Sequence, residues 1–195
     1  MRYSSFPEEI YEAHMPSHSL RSSKQNDPVV SYRVPASEDG EAVWELIRSC
    51  GPLDDNSLYC NLLQCDHFAD TCVIARVDGK VAGWVSAYVL PSTPDTLFVW
   101  QVAVAETARG MGLAGRMLDH LIGREACEGV ENVNTTITAD NAASWALFRS
   151  FARRMEAPIE GAPHFTRQDH FGGKHATEIM AQIGPFGALS RRKAA

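Results

Sequence analysis

Between Thr96 and Ile122 an apolar run passes into a glycine-rich bend and then into a helix, and this passage limits the fold more than any other. Thr96 to Val104 (TLFVWQVAV) is apolar along nearly its whole length, the pattern of a central strand covered on both faces. After a polar bend come Gly110, Gly112 and Gly115. Leu113, Met117, Leu118, Leu121 and Ile122 then form one stripe, which predicts a helix over about residues 112–127. At a helix start several amides point outward without intrahelical acceptors, and the dipole adds positive potential there. Glycines allow a bulky anion to approach that backbone. The combination is a diphosphate cradle.

The letters from Gly110 to Gly115 also satisfy G-x-G-x-x-G, the dinucleotide fingerprint. In that motif the first glycine follows its strand at once, whereas five residues, Ala105 to Arg109, intervene here. A dinucleotide fold would also need further strand–helix units in the 80 residues after Gly115. No Gly-Lys-Ser/Thr ending is present, so a P-loop is excluded. An ordinary strand–helix turn remains open on these residues alone.

The rest of the chain alternates strands and helices. Val30 to Val34 reads as a short strand closed by Pro35, and Ser37 or Asp39 can cap a helix carrying Val43, Trp44, Ile47 and Cys50. A second helix is expected over Ser57 to Phe68, with Leu58, Leu62 and Cys65 on one face. Thr71 to Val77, Asp78-Gly79 and Lys80 to Leu90 read as a tight hairpin, followed by a loop over Pro91 to Asp95. Val133 to Ile137 is a further strand. Asn141 to Arg154 is a further helix, with Asp140 as its cap and Trp145, Phe148 and Ala152 inward. A last strand pair lies beyond Ala157, with Thr177 to Ile183 the better half. The expected class is α/β (α+β), a mixed central sheet of six to seven strands with helices on both faces. The domain is expected over 29–186, between a flexible extension (1–28) and a short basic tail (187–195).

Composition closes off other classes. Lys and Arg number 18 against 24 Asp and Glu, a net charge of −6. That balance speaks against nucleic acid as a partner and favours a cationic small substrate. No apolar run approaches the roughly 20 residues of a membrane span, and no signal design precedes the domain. The five cysteines have no scaffold spacing, so reduced thiols and a cytoplasmic location are expected. His164, His170, His175 and Glu178, or Cys60, Cys65, His67 and Cys72, match no zinc spacing; no metal is expected.

Two patches carry a resemblance. Arg109-Gly110-Met111-Gly112-Leu113-Ala114 is similar to the Q/R-x-x-G-x-G/A signature of the GNAT acetyltransferases, in the position that superfamily uses it. Asp140 to Phe148 is similar to its later strand–helix patch. The resemblance implies the GNAT fold and acetyl-CoA as cosubstrate. It implies that Val102, Ala103 and Val104 pair with the pantetheine arm and that Arg109, Gly110, Met111, Gly112, Leu113 and Ala114 hold the pyrophosphate. Asn141 and Ser144 would then lie near the thiol end, with a plain capping turn as the alternative role for Asn141. Phe148 stands where many members carry a tyrosine that protonates the departing thiolate.

Further patches resemble the L-2,4-diaminobutyrate acetyltransferases of ectoine biosynthesis: Gly51 to Tyr59, Phe98 to Val104, Thr135 to Thr138 and His170 to Glu178. The implied reaction is acetyl transfer to the 4-amino group of L-2,4-diaminobutyrate, with a homodimer as the usual assembly. Such an acceptor carries two ammonium groups and one carboxylate, so its pocket should offer carboxylates, hydrogen-bonding groups and an aromatic wall. Asp54, Asp55, Asn56, Tyr59, Trp100, His175 and Glu178 are the candidates, although Asp54 or Asp55 can equally be a helix cap and Trp100 equally core. Gln101 alternates with Trp100, so a regular strand would send only one of them to the pocket. Direct amine attack without an acyl-enzyme is expected, with Glu178 and His175 binding or deprotonating the amine and the Val102 N–H steadying the oxyanion. Another acceptor (a polyamine, an aminoglycoside or a protein lysine) and an acyl-CoA-binding module without turnover are the competing functions.

Overall fold

Asp78 and Gly79 adopt positive φ angles of 50° and 79°, which a two-residue primed turn requires. They join β2 (Val73–Val77) to β3 (Lys80–Leu90) as an antiparallel hairpin. The computed structural model describes residues 27–51 and 56–187. β1 (Val30–Arg33) adds to the outer edge of β2, and β4 (Thr93–Val104) pairs with β3 along most of its length. The loop expected over Pro91 to Asp95 is therefore mostly strand: Leu90 already pairs with Thr93. After β5 (Asn132–Thr138), β6 (Ile159–Phe165) and β7 (Glu178–Ile183), the sheet has seven strands in the order β1-β2-β3-β4-β5-β7-β6. Every neighbouring pair is antiparallel except β4–β5.

Helices cover both faces. On one, α1 (Gly40–Ser49) brings Val43, Leu46 and Ile47 onto Ile74, Trp84 and Ala103, with α2 (Leu58–Asp66) beside it. On the other, Met117, Leu118, Leu121 and Ile122 of α3 (Leu113–Ile122) join Phe148 and Phe151 of α4 (Ala142–Arg154) over Val85, Ala87, Leu97 and Val99. α3 stops at Ile122, short of the expected Cys127, because Gly123 caps it and Glu125–Cys127 closes into a separate 3-10 turn.

Three local expectations are corrected. α2 turns Asn61, Gln64 and Cys65 inward, whereas Leu58 stays 37% exposed, because Ser57 starts the helix by accepting from the Cys60 N–H. Asp39 holds the N-cap position of α1 but makes no side-chain cap bond to the helix. Its buried carboxylate accepts from Ala36 N (2.8 Å), from both terminal nitrogens of Arg33 (2.7 and 2.6 Å) and from Arg76 (2.9 Å), tying the start of α1 to β1 and β2. α4 is capped by Asn141, whose side chain accepts from the Ser144 N–H at 3.0 Å, and not by Asp140.

Candidate active site

The parallel pairing of β4 with β5 covers only Thr96–Asn132, Leu97–Val133 and Phe98–Asn134. Beyond Phe98 the two strands are no longer paired, and a cleft of about 440 Å³ lies between them. Its walls are Val99 to Val102 on one side, Thr135 to Thr138 on the other, and Phe148 between them. β4 carries a bulge here: Ser86 of β3 pairs with Gln101 and Ala87 with Val99, leaving Trp100 without a partner residue. A bulge breaks the alternation of side chains. Trp100 and Gln101 therefore both line the cleft, against the expectation from a regular strand.

Asn56 reaches the cleft from the start of α2. Its side-chain amide donates to Gln101 Oε1 at 3.0 Å, and its carbonyl accepts from the Trp44 indole at 3.1 Å. Tyr59 projects from α2 and is 69% exposed, outside the cleft lining. Asp54 and Asp55 lie outside the described residues. At the far end, β7 begins at Glu178, whose carboxylate lies 3.9 Å from His175 Nδ1. His175 Nδ1 is 2.8 Å from the Ala176 carbonyl. A carbonyl only accepts, so Nδ1 carries the proton and Nε2 holds the lone pair of the neutral ring. Phe171 packs on His175 and, with Phe165, adds apolar wall. Asp140 is held below the ordinary carboxylate range, first by a hydrogen bond from Thr138 and then by its own backbone N–H.

The glycine turn opens a second cavity, of about 710 Å³, between α3 and α4. Gly110 and Gly112 have φ angles of 79° and 74°, and a Cβ at either would meet nothing within 4 Å. Glycine is required there by backbone conformation, not by crowding. Arg116 N–H donates to the Gly112 carbonyl, the first bond of the helix, so the amides of Leu113, Ala114 and Gly115 precede any α-helical acceptor. Val104, Arg109, Gly110, Gly112, Leu113 and Ala114 line this cavity. Met111 contributes its carbonyl to Arg116, and Ala103 turns its side chain into the α1 core. Val102, Asn141 and Ser144 line the strand cleft.

The sequence reading did not pick out the residues that close these spaces. Arg154 donates to Asp119 (2.7 Å) and to the Gly115 carbonyl (3.3 Å), bracing α4 against the start of α3. Phe165 and Phe171 come from a segment with no helical or strand period around them. A serine or arginine on the exposed turn of a helix has no signature of its own. Among the described residues no group of three or more His, Cys, Asp and Glu side chains is placed to hold a metal ion. No described helix is long and apolar enough to cross a membrane.

Comparison with known proteins places this geometry. Residues 34–152 match the model of the Acetyltransferase (GNAT) family. An L-2,4-diaminobutyric acid acetyltransferase of Methylotuvimicrobium alcaliphilum is 46% identical over 162 residues, 83% of this chain and 94% of that protein. The same enzyme of Halomonas elongata is 43% identical over 183 residues, 90% of this chain and 95% of that one. Among solved structures, the diaminobutyrate acetyltransferase EctA of Paenibacillus lautus, in complex with L-2,4-diaminobutyric acid and coenzyme A, superposes with a TM-score of 0.78 at 42% identity, covering 83% of this chain and 98% of that one. The ribosomal-protein-S18-alanine N-acetyltransferase of Escherichia coli, 19% identical with a TM-score of 0.59 over 82% of this chain and 96% of that one, shares the fold. With a split parallel strand pair, a glycine cradle beside it and relatives alike over most of their length, the chain belongs to the GNAT acetyltransferase family, in the branch of the L-2,4-diaminobutyric acid acetyltransferases.

Proposed function

We propose that the chain transfers the acetyl group of acetyl-CoA to the 4-amino group of L-2,4-diaminobutyrate, giving the N4-acetyl product and CoA in ectoine biosynthesis. The observation that carries this reading is the pair of cavities beside β4, one lined by the glycine cradle and the other by Asn56, Trp100 and Glu178. The cradle suits a pyrophosphate, since the amides from Gly110 to Ala114 meet the positive end of α3. Pantetheine then runs along Val102 to Val104, edge backbone that β5 leaves unpaired. Asn141 and Ser144 sit where the thioester would arrive.

The acceptor enters as an ammonium and must lose a proton before its nitrogen can attack. Glu178 binds that ammonium, and His175, through Nε2, or Glu178 itself takes the proton, directly or through water. The nitrogen lone pair adds to the thioester carbonyl while the Val102 N–H steadies the oxyanion. Collapse breaks the C–S bond and releases the thiolate, while the second proton on nitrogen passes to solvent or to the departing sulfur. Phe148 offers no hydroxyl, so the thiolate leaves as such or takes its proton from water. The aromatic wall at Trp100 and the Glu178 carboxylate suit a small dication bearing one carboxylate, and Asp54, Asp55 and Tyr59 are proposed to bind it as well. On the same reading, residues 29–186 form the catalytic domain, and the enzyme works as a cytoplasmic homodimer.

Purified protein mixed with acetyl-CoA and diaminobutyrate should release free thiol and yield a singly acetylated product on the 4-nitrogen, seen by mass spectrometry and NMR. Thiol release with spermidine, an aminoglycoside or a lysine peptide, and none with diaminobutyrate, would reassign the acceptor. Gly112→Trp should abolish CoA binding in calorimetry; unchanged affinity would remove the cradle.

A further inference from the structure

Behind Trp100 lies another hollow, of about 330 Å³, lined by Gln64, Phe68, Ser86, Tyr88, Pro91 and Trp100, with Ala87 in its floor. Trp100 is shared between this lining and that of the strand cleft. Ser86 on the far side is also the register partner of Gln101 on the near side, so residues of adjacent strands line the two spaces.

The floor of the hollow is polar and unspent. Gln64 and Ser86 are 3% and 1% exposed. Gln64 Oε1 accepts from the Asn61 amide, while Gln64 Nε2 and Ser86 Oγ have no hydrogen-bond partner. A buried donor left unmade costs about 1–3 kcal/mol, so two side by side call for an acceptor group that can reach them. No charged side chain lines the hollow, and its walls are aromatic and apolar. Such a space suits a methylene chain that ends in an oxygen acceptor.

The geometry points to Trp100 as the wall that sets acceptor length, and to the hollow behind it as a latent subsite for the carboxylate end of a longer α,ω-diamino acid. The inference rests on the acetyl transfer proposed above. With the indole in place, an acceptor whose terminal nitrogen meets the thioester must fit in front of Trp100. Ornithine and lysine, longer by one and two methylenes, run into the ring and cannot reach Gln64 or Ser86. Without the indole the two spaces merge, and the extra methylenes pack against Phe68, Tyr88 and Pro91. The carboxylate accepts from Gln64 Nε2 and Ser86 Oγ once those buried side chains turn toward it, and the α-ammonium faces the solvent opening that the half-exposed indole vacates.

The test compares wild type, Trp100→Ala and Trp100→Leu in steady-state assays with diaminobutyrate, ornithine and lysine at saturating acetyl-CoA. Circular dichroism and CoA calorimetry confirm each variant's fold, and Trp100→Leu carries the test if the alanine variant does not fold. The ratio of kcat/KM for ornithine or lysine to that for diaminobutyrate should rise by at least ~10-fold per added methylene accommodated. Adding Gln64→Leu or Ser86→Val to Trp100→Ala should cancel most of that gain. An unchanged ratio in a folded variant, an equal loss for all three acceptors, or a gain that survives loss of both Gln64 and Ser86 overturns the inference while leaving the proposed activity intact. A wild-type protein inert toward diaminobutyrate overturns both.

Discussion

At Trp100, β4 carries one residue more than β3 opposite it, and that insertion decides what lines the cleft. It places an aromatic face and the Gln101 amide in the same cleft, with Asn56 donating to Gln101 and itself held by Trp44. At the opposite wall, Glu178 and His175 face each other at 3.9 Å. Glu178→Gln keeps the shape and removes the charge, so kcat/KM for diaminobutyrate should fall by about 10²–10⁴-fold, with CoA affinity within about twofold by calorimetry. Wild-type kinetics in this variant would remove Glu178 from both amine binding and deprotonation. His175→Asn should leave the diaminobutyrate KM nearly unchanged and lower kcat if the imidazole moves the proton, whereas a rise in KM alone would make it a binding group.

At the scale of elements, the proposed cofactor contacts come from helix starts. α3 begins after a glycine held at φ 74°, and α4 begins at an asparagine that accepts from the Ser144 amide. Gly112→Ala imposes a left-handed conformation on a residue with a Cβ, costing about 1–2 kcal/mol, and should raise the acetyl-CoA KM with little change in the acceptor's. Asn141 can be tested for two roles at once. Asn141→Ala should cost about 1 kcal/mol of stability through the lost cap, read from urea melts. Asn141→Ser retains a capping oxygen and should restore that stability. If CoA affinity still falls in the serine variant, the asparagine touches the cofactor as well as the helix. If it does not, capping is its whole contribution.

For the whole molecule, the α1–α2 layer is joined to the sheet edge through Asp39. Burial acts to raise its pKa, but hydrogen bonds from Arg33, Ala36 and Arg76, with the Arg33 charge, outweigh it and hold the carboxyl below its ordinary value. A group depressed on folding stabilises fully above its unfolded pKa, and that share is lost as pH falls through the lower folded value. Asp39→Asn should therefore lose about 2–4 kcal/mol near neutrality, because it leaves Arg33 and Arg76 short of a charge partner. It should also flatten the decline of stability below about pH 4, measured by urea titration across pH. Two of the four buried thiols behave oppositely to reactive ones: burial pushes Cys65 and Cys72 each up to about 12, and the neighbouring Cys72 adds to the shift at Cys65. A native thiol titration at pH 8 should leave both unmodified, with Cys60, the half-buried thiol, reacting first.

Local chemistry was readable along the chain wherever one residue's own conformation or period carries the signal. Asp78-Gly79 demanded a primed turn, the stripe from Leu113 to Ile122 demanded an inward helix face, and the glycines at 110 and 112 demanded a backbone that few other residues adopt. From these the sheet-and-helix class followed, since it depends on contacts within a turn or two. The inward face of α2, the carboxylate knot at Asp39 and the joint exposure of Trp100 and Gln101 did not follow. Each depends on a neighbour tens of residues away: a bulge exists only in the register between two strands, and a cleft exists only where β5 stops pairing with β4. Periodicity reports which side of an element is apolar, whereas register and strand separation are set by the summed packing of every layer. The order of chemistry was thus written locally, and the shape of the pocket that uses it was settled only when the sheet closed.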